Sequence, residues 1–585
     1  MKLMKLHTRF ITTLPGLALS LVLVGPLHAQ RPAVEAKNGM VTSAHELASR
    51  AGVDILKQGG NAVDAAAATG LALAVVFPEA GNIGGGGFML IHLADGRDTV
   101  IDYRETAPAA ATRDMYVGPD GHVLEGPGSS VVGWRASGVP GTVAGFAQAV
   151  EKYGSGKVKW SDIVAPAIRL AESQTVTQGL ADGLRANAEF LGRFPSSKKY
   201  FLVGGKFLQT GDTWVQADLA ATLTRIARDP RDFYTGETAR LIAGDMKRHG
   251  GSITAADLAA YRPAERKPIR SRYRGHDILT MPPPSSGGIA LTQMLGMIEP
   301  HDVRALGHNS AAKYHLFAEV MKRAFRDRAE YLGDPDYVKI PVEKLLDPAY
   351  IRNRMADYSP DRATPAAQVK PGLGDFDTEN ITRRESKHTT HFCVIDAAGN
   401  AVSNTYTLNY DYGSGNAIEG AGFLMNNEMD DFTAKVGVPN IYGLLQGEAN
   451  AIAPGKRPLS SMTPTIVLKD GKILLATGSP GGPTIINTVF QIVTNVIDHQ
   501  MPVMQAVEAP RINNQWMPDR LFHERYGLSP DTMAILKAKG HDLKEGTPYD
   551  TPYQGDGETI GVDRERGLLQ GASDPRSPDS KAVGY

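Results

Sequence analysis

Apolar and polar positions along the chain alternate in short runs toward both ends and follow a helical period between them. Ser43 and Glu46 stand at capping-box spacing ahead of an apolar stripe of Leu47, Val53 and Leu56, and Gly59-Gly60 stops the helix they predict. Asn61 with Asp64 caps a second, Ala-rich helix running to about Val76, apolar enough to lie between layers. After Gly84 to Gly87 the period changes to two: a strand over Phe88 to Leu93, a turn at Asp95-Gly96, and a return over Thr99 to Tyr103. The same pattern recurs at Thr465 to Leu468, Asp470-Gly471 and Ile473 to Thr477. From Glu105 to about Ala367 the chain reads as mostly helical, with amphipathic stretches at Val164 to Glu172, where Pro166 suits a first turn, and at Ala311 to Tyr331. Hairpins at both ends with helices between predict sheets covered by helices and built jointly from both halves.

The sharpest change of pattern comes two-thirds of the way along. A polar, proline-dotted connection from Tyr358 to Lys387 gives way to the β-patterned run His388-Thr389-Thr390-His391-Phe392-Cys393-Val394-Ile395-Asp396. The turn Ala397-Ala398-Gly399-Asn400 follows, then a second strand from Ala401 to Thr407. Cutting the bond before Thr389 would put a new N-terminus at the head of a sheet, with the threonine hydroxyl beside its own free amine. A hydroxyl is a weak nucleophile at neutral pH, and an adjacent amine is one of the few bases that activates a threonine. His391 and Cys393 share the face of Thr389 by alternation; packing is the better reading for them than a Cys/His catalytic pair.

The first residues change the compartment. Lys2, Lys5 and Arg9 precede an apolar run from Leu14 to Val24, and Leu27-His28-Ala29 offers a small-residue cleavage site before Gln30, so residues 1–29 read as a signal peptide of a periplasmic or secreted protein. The single cysteine, Cys393, excludes an internal disulfide, so the exported chain relies on its core, for which 42% hydrophobic against 21% charged residues is ample. With 62 Lys and Arg against 63 Asp and Glu, bulk charge points to neither nucleic acid nor an anionic membrane.

Several segments look chemical rather than architectural. Gly478-Ser479-Pro480-Gly481-Gly482 follows a strand directly, and amides at a glycine pair there can converge on one oxygen, as an oxyanion hole requires. Asn426-Asn427-Glu428-Met429-Asp430-Asp431 concentrates carboxylates suited to a substrate ammonium; a Ca²⁺ loop is the weaker reading, since no EF-hand spacing surrounds them. Arg104, after the first hairpin, offers a planar fork for a carboxylate.

Together these motifs resemble the γ-glutamyltranspeptidases (glutathione hydrolases). Thr389-Thr390-His391, Thr405 to Asn409, Asn426 to Phe432, Pro458-Leu459-Ser460-Ser461-Met462 and Gly478 to Gly482 match the small-subunit motifs of that family. Gly59 to Ala65, Gly84 to Phe88, Arg104-Glu105, Pro140-Gly141-Thr142, Met281 to Gly288 and the C-terminal Gly571 to Arg576 match the same family in order, across essentially the whole mature chain.

The resemblance implies an α+β N-terminal nucleophile hydrolase, a four-layer αββα sandwich made as a zymogen that cuts itself between His388 and Thr389. Residues 30–388 would form a large subunit and 389–585 a small catalytic one, a heterodimer that is one structural unit. It implies a periplasmic hydrolase and acyltransferase that cleaves glutathione and other γ-glutamyl amides through a γ-glutamyl-threonine ester, passing the group to water or to an amino acid or peptide. No cofactor or metal, no nucleic acid partner and no membrane span after signal removal are expected. Thr389 is then the nucleophile, Thr407 its hydrogen-bonding neighbour, and the Gly481 and Gly482 amides the oxyanion donors. Arg104, Ser460 and Ser461 would hold the donor α-carboxylate; Asn409, Glu428 and Asp431 its α-amino end. Lys435 to Ala453 resembles the family's lid loop, with Tyr442 at the pocket wall.

Two departures bear on specificity: Glu428 stands where some bacterial members carry glutamine, and Tyr410-Asp411-Tyr412 differs from other members on the acceptor side. The alternatives are a glutaryl-cephalosporin acylase or a poly-γ-glutamate-processing enzyme on the same fold, or an unprocessed periplasmic binding protein. The full donor clamp argues against the cephalosporin option.

Overall fold

The helix that the Asn61/Asp64 spacing predicts forms at Ala62–Val76, and the box is complete: Asn61 Oδ1 accepts from the Val63 and Asp64 amides, and the Asp64 carboxylate accepts from the Asn61 amide. Every residue of this helix is buried, as its lack of a polar face requires. These features come from a computed structural model, which describes residues 31–203, 205–374, 389–548 and 551–585. The segment read as a signal peptide and His388 lie outside the described residues. Everything that follows belongs to the unit Ala33–Tyr585. No helix among the described residues is long and apolar enough to cross a membrane.

The site is positioned by fourteen strands in two seven-stranded sheets. In chain order they are β1 (Val34–Ala36), β2 (Gly39–Ser43), β3 (Gly86–His92), β4 (Asp98–Asp102), β5 (Ala264–Arg266), β6 (Ile269–Tyr273), β7 (His276–Thr280), β8 (Thr390–Asp396), β9 (Ala401–Thr407), β10 (Thr465–Lys469), β11 (Lys472–Gly478), β12 (Glu558–Asp563), β13 (Leu568–Ser573) and β14 (Lys581–Gly584). One sheet runs β14-β2-β8-β9-β3-β4-β5 and the other β1-β13-β12-β11-β10-β7-β6. Each sheet takes strands from both sides of Thr389, so the two halves of the chain share both sheets, as expected.

Alternation along β8 shows the layering. Phe392 and Val394 pack with Val63, Ala66 and Leu71 of the helical layer, which holds α1 (Glu46–Lys57) and α2 (Ala62–Val76). Cys393 and Ile395 face the other way, into the core shared with Ile466, Leu475 and Ile560 of the second sheet. That sheet is covered in turn by α3 (Gly287–Ile298), α4 (Ala311–Tyr331) and α5 (Thr484–Ile497), whose Leu291, Phe317 and Val489 complete the same core. The result is the four-layer αββα sandwich. Thr389 and His391, at odd positions like Cys393, therefore project between the sheets.

Three local expectations are corrected. The cap of α1 is His45, whose Nδ1 accepts from the Leu47 amide at 3.1 Å; Ser43 ends β2, and its hydroxyl donates to His45 O at 3.0 Å. Pro166 lies inside its helix, not in the first turn, because the helix begins earlier, at Trp160. The stretch expected to be mostly helical also contains β5, β6 and β7. Arginines at alternate positions of the edge strand Ile269-Arg-Ser-Arg-Tyr273 disguise its pattern, and such charge is how an edge avoids pairing with another chain.

Candidate active site

Thr389 precedes the first residue of β8. The ladder pairs Thr390 with Tyr406 and His391 with Thr405, so one step further sets Thr389 beside Thr407, the last residue of β9. Both threonines are buried and line one small cavity with Arg104, Asn409, Glu428, Asp431, Tyr442, Ser460, Ser461 and Gly482. Of the expected site residues that the structure describes, all line this cavity except Gly481, which lines a neighbouring cleft that Thr389 also borders.

The glycine pair links β11 to α5. Gly481 has φ +125° and Gly482 φ +52°, and a Cβ on Gly481 would sit 2.5 Å from Thr484 Oγ1. Both the left-handed backbone and the close approach therefore require glycine. The pair lies at the N-terminal end of α5, where the helix dipole adds to any amide that meets negative charge.

Arg104 is the centre of the charged end. Its guanidinium is 1% exposed and pairs with Glu428 and Asp431, with Glu105 at 3.8 Å. Burial alone would pull the guanidinium down, but Glu428, Asp431 and Glu105 together hold it above its ordinary value. Three ionised carboxylates around one cation would leave surplus negative charge in a dry site. The molecule shows that strain in two groups: burial, outweighing the help of Arg104, raises Glu105 to about 7, and burial with repulsion from Glu105 and Asp431 raises Glu428 well above the carboxylate range. A ligand bringing an ammonium to this end relieves the excess.

Ser460-Ser461 line the same cavity, in the segment whose Pro458 O accepts from Arg104 Nε, and are held by a buckle from the Met281 to Gly288 motif. The Ser460 amide donates to Pro284 O at 2.9 Å, Ser286 Oγ donates to Ser460 O at 2.7 Å, and Ser285 Oγ donates to Met462 O at 2.6 Å. Sequence reasoning missed Arg328, a buried residue of α4 whose Nη2 donates to Ser461 Oγ at 3.1 Å and whose Nε donates to Ser286 Oγ at 2.9 Å. α4 also buries Arg323, Glu319 and Lys322, and nothing in its sequence sets Arg328 apart from them.

Segment 435–453 lies over the cavity. The Tyr442 hydroxyl donates to both Asn409 O and Asn409 Oδ1, and Asp430 Oδ2 accepts from the Ile441 amide at 3.0 Å. Asn409 is itself left-handed, with φ +78°, and its amide donates to Thr407 Oγ1 at 2.9 Å. Asp430, read from sequence only as part of the acidic cluster, is thus an anchor of this segment; its second partner is Ser130 Oγ at 2.7 Å. The cavity volume is about 20 Å³, the space of about one water molecule.

His391 and Cys393 lie side by side, with Nε2 to Sγ at 3.2 Å, but burial pushes the thiol well up and the imidazole down to about 3. That environment opposes an imidazolium–thiolate pair. Among the described residues, one His/Glu group is tight enough for a metal, His315, Glu319 and His541, and it shares no residue with the cavity. The Glu319 carboxylate there already accepts from Arg323 at 2.6 Å and from the Thr364 amide at 3.1 Å.

The family model described as Gamma-glutamyltranspeptidase matches residues 48–584. The glutathione hydrolase proenzyme of Escherichia coli (strain K12) is 49% identical over 559 residues, 94% of this chain and 93% of that one. Among solved structures, a cephalosporin acylase from Bacillus halodurans superposes with TM-score 0.82 at 29% identity, covering 96% of this chain and 98% of the other. The Helicobacter pylori γ-glutamyltranspeptidase is 45% identical with TM-score 0.56, covering 60% of this chain and 98% of that one. Matched by the family model over residues 48–584 and 49% identical to the Escherichia coli relative over 94% of its own length, the chain belongs to the γ-glutamyltranspeptidase family.

Proposed function

We propose that the chain is an exported precursor that cuts its own His388–Thr389 bond and then transfers γ-glutamyl groups from glutathione and related amides to water or to an amine. The observation that carries this reading is the pocket beside Thr389, which sets one guanidinium among three carboxylates together with a serine pair. A γ-glutamyl head is a zwitterion. Its α-carboxylate can meet Arg104, Ser460 and Ser461 while its α-ammonium takes the surplus charge of Glu428 and Asp431, with Asn409 beside them.

In processing, Thr389 Oγ attacks the His388 carbonyl carbon, the peptide C–N bond breaks, and the hydroxyl proton passes to the new α-amine. Water then cleaves the ester, leaving a His388 carboxylate and a free N-terminal Thr389. In turnover that amine takes the Oγ proton as the oxygen attacks the donor γ-carbonyl, and gives it to the departing amine. The Gly481 and Gly482 amides face the oxyanion; loss of one such donor typically costs about 3–4 kcal/mol in barrier. Thr407 orients the nucleophile across the ladder.

The leaving amine and the acceptor use the second cleft, of about 490 Å³, which borders Thr389 and Gly481 away from the charged pocket. Residues 1–29 would direct export and be removed; 30–388 and 389–585 would be the two subunits. The likeness to a cephalosporin acylase favours a second reading, a glutaryl-amide acylase. A glutaryl group lacks the α-ammonium, however, and would leave the buried carboxylates facing nothing. Intact-mass and N-terminal analysis of the purified protein, followed by a γ-glutamyl-anilide assay with and without a dipeptide acceptor, tests the proposal. Two chains, one beginning at Thr389, with dipeptide-stimulated release of the aniline, are expected. A single uncut chain, or activity only toward glutaryl-anilide, overturns it.

A further inference from the structure

The nucleophile and its oxyanion donors sit on different sheets: Thr389 leads into β8 of one, and Gly481-Gly482 follow β11 of the other. Acyl transfer needs these two groups held to a fraction of an ångström, because misplacement by about 1 Å can cost ~10²-fold in rate. Something between the sheets must set that spacing close to the reacting atoms.

His391 is in the right place. It lies two residues beyond Thr389 on the same face, opposite Thr405 in the ladder, with Cys393 opposite Ser403 one repeat further in. The ring is fully buried, with Nδ1 at 2.7 Å from Thr405 Oγ1 and Nε2 at 3.2 Å from Cys393 Sγ and 3.4 Å from Ser403 Oγ. Ser403 carries the network across the gap: its hydroxyl donates to Thr477 O on β11 at 3.0 Å and accepts from the Thr465 amide on β10 at 3.1 Å.

The ring also lies against the end of β11. A Cβ built on Gly478 would stand 2.2, 2.4 and 2.5 Å from Cε1, Nδ1 and Nε2 of His391. Gly478 has no positive φ, so close approach alone accounts for the glycine. Three residues later comes Gly481.

We infer that His391 is a positioning residue for the transfer reaction: its imidazole, keyed to Thr405 and pressed on Gly478, fixes the distance between the Thr389 strand and the Gly481-Gly482 loop. It touches no substrate and takes no proton in the reaction. This rests on the proposed role of Thr389, and the test separates the two.

The test compares Gly478→Ala, His391→Ser and the double variant Gly478→Ala/His391→Ser, in the full chain as expressed and with active sites counted by the mass of the chain beginning at Thr389. Gly478→Ala is expected to lower kcat for γ-glutamyl-anilide ~10²-fold, with KM changed less than about threefold, because the donor pocket is untouched. Removing the ring makes room for the new methyl, so the double variant should recover at least ~10-fold over Gly478→Ala. The acid limb of the kcat profile should be the same in wild type and His391→Ser, a readout that a proton-transfer role would move.

The inference is overturned if Gly478→Ala keeps kcat within threefold, if the double variant is no better than Gly478→Ala alone, or if His391→Ser shifts the acid limb. Where His391→Ser fails to fold by its melting curve, His391→Asn takes its place in the cycle with the same criteria. Wild-type protein that is never cut or never turns over γ-glutamyl-anilide would defeat the proposed function instead. Wild-type activity with indifferent Gly478 and His391 variants would defeat only this inference.

Discussion

Glu105→Gln should make the protein more stable, and increasingly so as the pH rises. Glu105 is fully buried, 3.8 Å from Arg104, and burial raises its carboxyl from 4.5 to about 7 despite that neighbour. A carboxyl whose folded value lies above its unfolded value binds its proton more tightly in the native state. Its contribution is therefore fully present below pH 4.5 and is lost as the pH rises through about 7. Once both states are ionised, the native chain carries a penalty of about 3 kcal/mol, at roughly 1.4 kcal/mol for each pH unit separating the two values. Glutamine keeps the shape and removes the titration. The assay is thermal unfolding from about pH 4.5 to 8.5 in a Thr389→Ala background, where the chain is expected to stay whole. The stability difference between chains with and without Glu105→Gln should grow by about 3 kcal/mol across that window, about 2–3 °C in Tm for a chain of this size. An offset that is the same at both ends of the window would refute the reading of Glu105 as an uncompensated charge, since loss of a hydrogen bond or a packing change has no such pH dependence.

Asp431→Ala removes a partner of Arg104 and one end of the proposed ammonium clamp; it should raise KM for γ-glutamyl-anilide about 10- to 100-fold, the scale of a charge-assisted hydrogen bond, and leave glutaryl-anilide nearly unaffected. Equal effects on both donors would reject the clamp. Tyr442→Phe deletes the hydroxyl that ties the 435–453 segment to Asn409, a bond worth about 1–1.5 kcal/mol, so amide hydrogen exchange in residues 435–447 should quicken about 5- to 10-fold; unchanged protection would mean the latch lies elsewhere. Gly481→Ala places a Cβ 2.5 Å from Thr484 Oγ1 on a backbone with φ +125° and should cost ~10²–10³-fold in kcat; activity within threefold of wild type would count against an oxyanion role.

Much of the fold was legible because local chemistry and global position agree. The Asn61/Asp64 box, the Asp-Gly turns of both hairpins and the period-two runs of β8 and β9 each specify their element without help from the rest of the chain. What escaped depends on partners distant in sequence. β1 has three residues and pairs with β13 at the far end of the chain, Val34 opposite Gly571, and β14 pairs with β2 across a similar span. No local window contains such pairings. The edge strand Ile269–Tyr273 was hidden by its own arginines, and Ser43 looked like a cap because a cap and a strand end favour the same small polar residue.

The site divides along the same line. Residues whose role follows from their type in a motif, such as Thr389, Gly481-Gly482, Ser460-Ser461 and Asp431, could be named from spacing and resemblance, and the fold brings them to one cavity or its border. Residues that act by holding those in place carry no such mark. Arg328 looks like any helical arginine until Ser286 and Ser461 are seen to accept from it, and Asp430 is one acid among three until the Ile441 amide meets it. Glu105 is the clearest case. Beside Arg104 in sequence it reads as a simple neutralising neighbour, yet with Glu428 and Asp431 already on that guanidinium it becomes the third carboxylate for one cation. With all three ionised the pocket would be short of positive charge, and protons taken up at Glu428 and Glu105 make up the difference. Neither residue type nor spacing contains that deficit; it exists only once the chain has buried all four groups together, and under the proposed function an arriving ammonium takes the place of those protons.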